Sequence, residues 1–208
     1  MPVRLVHSGR VSVRRSQAER SETTRNALLD AARDLFAQQG YAATGREEIA
    51  ERAGVTRGAL YHHFGSKQAI FRAVVERLES EITERVARAG LAGATARDRF
   101  EGGASEFLDA CLDPAVSRVL LLEAPVVLGW KVWREIEEQY GLALVRLSLQ
   151  EVAGEAGLTA SDVEVLAPVL LGTLQEAALL VTTAPDPVVA RADVGRAVAL
   201  VIGRLLRP

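Results

Sequence analysis

Thr44–Lys67, TGREEIAERAGVTRGALYHHFGSK, reads as two short helices joined by a tight turn. The first is expected over about Arg46 to Ala53, with Gly45 or Thr44 as N-cap and Glu48 or Glu47 three residues on as its capping partner. Ile49, Ala50 and Ala53 form its inward stripe. Gly54 supplies the left-handed residue that ends this helix, and Val55 turns into the core. Thr56 caps a second helix whose inward positions are Leu60 and Phe64. The pattern is that of a helix-turn-helix.

With the core positions removed, the second helix presents Arg57, Gly58, Ala59, Tyr61, His62 and His63. Gly58 and Ala59 are small enough to let a helix backbone sit deep in a major groove. Arg57 reaches guanine O6 and N7, and an alanine methyl meets a thymine methyl. Tyr61, His63, Lys67 and Thr56 suit phosphates. His62 and His63 are not a metal site: adjacent helical residues diverge by about 100°, and no Cys or carboxylate pair completes a ligand set.

Gly40–Phe71, GYAATGREEIAERAGVTRGALYHHFGSKQAIF, resembles the N-terminal motif of the TetR/AcrR family of one-component transcriptional regulators. The resemblance implies an all-α fold: an N-terminal three-helix helix-turn-helix domain, then a C-terminal helical domain for ligand binding and dimerisation. It also implies double-stranded operator DNA, a small-molecule effector and a second copy of the chain as partners. Where the family often has Ser or Thr at the N-cap of the second helix and an apolar residue after it, this chain has Gly45 and Arg46. A backbone N–H then stands in for the hydroxyl, and Arg46 becomes a further DNA contact. Leu121–Gly141, LLEAPVVLGWKVWREIEEQYG, resembles a C-terminal domain found in many actinobacterial-type members of that family.

Composition agrees with helices, 49% of the 208 residues being apolar and only 5% aromatic. The net charge of −2 hides a polarity. Residues 1–72 carry 12 Lys/Arg and 7 Asp/Glu, or +5, whereas residues 73–208 carry 13 and 20, or −7. A basic end that meets phosphate and an acidic remainder suit a two-function regulator. The single cysteine, Cys111, excludes an intramolecular disulfide and agrees with a reducing cytoplasm. No signal peptide is expected. No membrane span is expected either: the uncharged run Val165–Gln175 falls short of about 18 apolar residues. Neither a nucleophile elbow, a phosphate-cradling loop, HExxH nor a dinucleotide fingerprint occurs, so neither an enzyme nor a cofactor is expected.

Along the chain, residues 1–20 read as a disordered basic arm, able to lie on DNA or simply remain solvated. Residues 21–66 form the DNA-binding domain and 67–208 the effector-binding and dimerisation domain. A scaffold helix is expected from about Glu22 to Gln39, closed by Gly40, with Tyr41 packed beneath the turn. Ser66 caps a helix reaching about Ala89, which the resemblance makes the connector between the domains. Further helices are expected over Ala94–Leu112, from Asp113-Pro114 to a kink or stop at Pro125, over Trp130–Ala153, over Val163–Thr183 with Asp162 as cap, and over Val188–Leu206. The last two carry more apolar surface than one subunit needs, which suits a four-helix dimer interface.

For the effector, Phe107, Glu123, Trp130, Trp133 and Gln175 are the candidates. Glu123, in an apolar run, either recognises a ligand or sits at a bend. The two tryptophans wall a pocket or belong to the core, Gln175 lines the cavity or bonds across the dimer, and Phe107 packs with Cys111 or binds. The reading is a ligand-responsive repressor acting as a dimer on a near-palindromic operator. An activator, a ligand-independent regulator and a dimerising scaffold stay open.

Overall fold

A computed structural model describes residues 17–206, and every regular element among them is helical. Helix α1 spans Gln17–Ala43, α2 Arg46–Arg52, α3 Arg57–His63 and α4 Lys67–Gly90. Helix α5 (Ala96–Ala110) is followed by a π-helix over Ala115–Glu123. Then come α6 (Ala124–Leu128), α7 (Trp130–Gln139), α8 (Gly141–Ala153), α9 (Ala160–Thr182) and α10 (Pro187–Leu205). The scaffold helix thus starts five residues before the expected Glu22. The rest of the basic arm, residues 1–16, lies outside the described residues.

Leu28, Leu29, Ala31, Ala32, Leu35 and Phe36 of α1 are buried, and they cover the inner faces of α2 and α3. Two seven-residue helices are too short to be stable without such a cover. Gly40 interrupts α1 with φ +82°, ψ 168°, a conformation open in practice only to glycine. The interruption throws Tyr41 back between Phe36 and Phe71, its ring 5.8 Å and 5.0 Å from theirs. Ser66 Oγ accepts from the Ala69 N–H and starts α4. At 1.5 Å per residue its 24 residues run about 36 Å from the helix-turn-helix into the C-terminal domain.

There α5 packs along α4, α8 against α9, and α9 against α10, with a continuous core of Leu108, Val119, Ile136, Leu149, Ala167 and Ala178. Three boundaries depart from expectation. The expected Trp130–Ala153 helix breaks at Tyr140 (φ −119°, ψ −94°). Thr159, not Asp162, caps α9; Asp162 is its reciprocal partner, accepting from the Thr159 N–H at 2.8 Å. The apolar run before Pro125 winds as a π-helix, with the Ala124 N–H bonded to the Val119 carbonyl five residues back. Pro125 then stands in the first turn of α6.

Candidate nucleic-acid interface and effector cavity

The helix-turn-helix is built by local capping. Glu48 Oε2 accepts from the Gly45 N–H at 3.5 Å and Thr56 Oγ1 accepts from the Ala59 N–H at 3.2 Å, while Gly54 makes the turn at φ +66°. Leu60 and Phe64 anchor α3 from below. Thr56, Arg57, Gly58, Tyr61 and His62 are exposed, with Ala59 and His63 half-buried beside them. Among the described residues nothing holds the Arg57 guanidinium by a hydrogen bond or ion pair, so the side chain is available for an outside acceptor. Arg46 stacks over the Tyr61 ring at 4.4 Å and donates to the Gly65 carbonyl at 3.4 Å. Tyr61 in turn donates to Glu47 Oε1 at 3.3 Å, so both expected DNA contacts are already tied to one another at this edge. Burial, and then the neighbouring His62 and Arg25, hold the His63 pKa below its ordinary value.

Lys67 requires a correction. Its ammonium, expected to hold a phosphate, donates to the carbonyls of Tyr41 (2.8 Å), Thr44 (3.0 Å) and Ala42 (3.4 Å) and sits 4.3 Å from the centre of the Tyr41 ring. All three of its N–H donors are engaged by the segment after Gly40, so it staples α4 to the end of α1.

Glu123 also moves from its expected place. It does not face the cavity. Both carboxylate oxygens accept from the Tyr41 N–H, at 3.1 and 2.9 Å, and a Cβ at Gly40 would stand 2.6 Å from Oε1. The same π-helix sends Arg118 to the Ala37 and Gln38 carbonyls (3.2 and 2.7 Å), and Asp113, just before it, pairs with Arg33 at 3.0 Å. Three polar links therefore fasten this part of the C-terminal domain to α1.

The opposite side of the π-helix, Val116, Leu120 and Leu121, helps enclose a cavity of about 270 Å³. Of the effector candidates, Phe107, Trp133 and Gln175 line it. Trp130 does not: it is 67% exposed at the first position of α7, with its ring 5.1 Å from that of Trp133. Three carboxylates that the sequence reading missed do line it, Glu79 from α4, Glu137 from α7 and Glu151 from α8. Glu137 is 2% exposed and bonded to Gln175 Nε2 and to Arg134 Nη1, the latter at 3.3 Å. Burial raises its pKa against the pull of those partners. Burial and then the charge of Glu137 push Glu79 up to about 7. A signal was available: Glu79 falls on the α4 stripe of Val75, Ile82 and Val86, and Glu137 lies one turn after Trp133. Cys111, buried near Glu79 and pushed up to about 12, is an inert thiol.

A helix-turn-helix with an exposed second helix, held by a long connector to a helical domain around an apolar cavity, is the architecture of a DNA-binding regulator. The chain belongs to the TetR family of transcriptional regulators. Residues 28–74 match the family described as bacterial regulatory proteins, tetR family, and residues 97–205 match the tetracyclin repressor-like C-terminal domain. The Transposon Tn10 TetC protein of Escherichia coli is 28% identical over 78% of this chain and 82% of its own. Among solved structures, a TetR-family transcriptional regulator from Pectobacterium atrosepticum superposes with a TM-score of 0.74 at 29% identity, covering 92% of this chain and 97% of that one. The regulator FadR from Bacillus subtilis, solved in complex with stearoyl-CoA, shares the fold at 22% identity, with a TM-score of 0.68 over 84% of this chain and 97% of its own.

Proposed function

We propose that this chain is a ligand-responsive repressor that binds a near-palindromic operator as a homodimer. The DNA-binding unit ends near Ser66, and the rest of the chain binds the effector and dimerises. The carrying observation is α3 itself, where Arg57 is exposed and unengaged beside the small Gly58 and Ala59. In this reading Arg57, Ala59 and Arg46 meet base edges, Gly58 permits the close approach, and Thr56, Tyr61, His62 and His63 meet the backbone. Lys67 acts indirectly, by fixing the start of α4.

Helices α9 and α10 support the dimer. The 18 most apolar consecutive residues of α9 have a mean hydropathy of 1.7, as apolar as a membrane span, yet Val163, Ala167, Leu170, Leu174 and Ala178 make its inner side part of the core. Val165, Val169 and Leu180 on α9, and Leu200 and Val201 on α10, remain exposed where a second copy would cover them. Two such subunits would set two α3 helices about 34–36 Å apart in successive major grooves.

The effector would occupy the cavity between α4, α5, α7, α8, α9 and the π-helix. FadR, a relative in fold, was solved with stearoyl-CoA, which makes a small-molecule role for this domain a natural reading. Both α4 and the π-helix touch the cavity at one end and α1 at the other. A ligand that fits better when they are shifted would favour a state with the wrong groove spacing and release the operator. Selection of random duplex DNA by the purified protein at moderate salt tests the first half. Enrichment of an inverted repeat with half-sites one helical turn apart is expected, with preference at one base position relaxed by Arg57→Ala. A folded dimer that enriches nothing would remove the proposal.

A further inference from the structure

The cavity has an uneven charge inventory. Its charged lining residues are Glu79, Glu137, Glu151 and Arg99. Arg99 Nε pairs with Glu151 at 3.0 Å, and Glu137 is held by Arg134 and Gln175. Glu79 is left over. Among the described residues its carboxylate has neither a hydrogen bond nor an ion pair, although it is set in a wall formed by Ile82, Val86, Phe100, Leu174 and Trp133. A carboxylate in such surroundings is unfavourable unless it is protonated or supplied with a counter-charge, and the described residues supply none. Arg85, on the same helix, is already bonded to Glu106 at 2.6 Å. The cavity beside Glu79 is lined mostly by apolar side chains.

We propose that the effector is a lipophilic cation, a single protonated amine on a compact hydrocarbon body, whose N–H groups are held by the Glu79 carboxylate while the body fills the space between Phe107, Leu120, Trp133 and Leu174. This rests on the cavity being the effector site. A fatty acid of the same length is disfavoured, because its carboxylate would enter next to Glu79 and Glu137 with no free cation in the wall. The chosen chemistry also places the ligand's charge on α4, the helix whose first turn carries Lys67 and the staple to α1.

Proton linkage gives an independent signature. The titratable groups whose charge is felt at or from Glu79 are Glu137 of α7 and Cys111 at the end of α5, and Glu137 is itself held by Arg134 and Gln175. With Glu79 near pH 7 in the free protein, an amine must displace a proton at pH 6 but not at pH 8. An alkylamine itself stays protonated throughout that range.

The test uses octylamine, octanol and octanoate as matched probes, with the full-length chain in titration calorimetry. Octylamine is expected to bind about tenfold to a hundredfold more tightly than octanol, and octanoate more weakly than either. From pH 6 to pH 8 the affinity for octylamine should rise about tenfold. Buffers of different ionisation heat should reveal close to one proton released at pH 6. Glu79→Gln should remove both the preference for octylamine over octanol and the pH dependence. Octylamine and octanol binding alike, or octanoate binding best, would overturn the cation while leaving the cavity as a ligand site. Failure of every probe to bind the folded chain would overturn both. Should Glu79→Gln not fold, the pH profile of the native chain decides alone.

Discussion

Lys67 and Glu79 lie on one helix and have opposite fates. The Lys67 charge is satisfied three times over by backbone carbonyls, whereas the Glu79 charge has no partner among the described residues. Lys67→Ala should therefore act on stability before DNA. Losing the ammonium leaves the carbonyls of Tyr41, Ala42 and Thr44 without their donor, at a cost of about 1–3 kcal/mol, reduced by partial solvent access. Denaturant unfolding should show it, with the salt dependence of DNA affinity unchanged; a slope shallower by about one charge would return Lys67 to the phosphates. For Glu79 the sign runs the other way. Its folded pKa is raised from 4.5 to about 7, so between those values the folded state binds more protons than the unfolded one. Stability from this group is complete below about pH 4.5 and is lost as pH rises through 7, by on the order of 2–3 kcal/mol. Glu137 acts in the same direction and His63 in the opposite one. Unfolding free energies of the native chain minus Glu79→Gln across pH 4–8 isolate it: the variant should be the more stable above pH 7, and the two should converge at low pH.

The short elements of the helix-turn-helix were legible because their determinants are local. Thr56, Gly54 and Ser66 act within three residues of themselves, and the expected caps and turn are found. The elements read less well are those whose form depends on distant partners. Nothing within three residues of Glu123 says that its acceptor role is to the Tyr41 N–H, 82 positions away, and a helix pattern alone does not separate an α-helix from a π-helix. The Glu123 link nonetheless explains Gly40. The carboxylate reaches the Tyr41 N–H only across a bare Cα, and the backbone there sits in a region that excludes side chains. Gly40→Ala is expected to destabilise the chain by about 1–3 kcal/mol from backbone strain alone, with the clash against Glu123 adding to it. Glu123→Ala removes the clash and the bond together. In a double-mutant cycle the pair should therefore cost less than the sum of the single changes. Additive losses in thermal unfolding would mean that the two positions are independent.

At the scale of the whole molecule, charge and apolar surface divide the labour. The basic N-terminal third carries α3, the acidic remainder encloses the cavity, and exposed apolar side chains run along α9 and α10. The cavity was the least legible feature, since it is assembled from α4, α5, α7, α8, α9 and the π-helix, whose separate periodicities all read as core. Trp130 illustrates the limit: its spacing from Trp133 fits a shared wall, but at the first position of α7 it stands exposed. The outer faces of α9 and α10 were easier, because an apolar excess shows in composition. Leu200 and Val169, 55% and 58% exposed, are the positions where a charge would harm a dimer and spare a monomer. Leu200→Asp combined with Val169→Asp should keep the helical content and unfold like the parent subunit, yet sediment as a monomer. Its operator affinity should fall far more than either half-site contact explains. A dimer binds its second half-site at an effective concentration worth about 100-fold to 10,000-fold, and a monomer forfeits that factor. A variant that remains dimeric, or a monomer that holds the operator as tightly as the native chain, would place the interface elsewhere or remove the need for one.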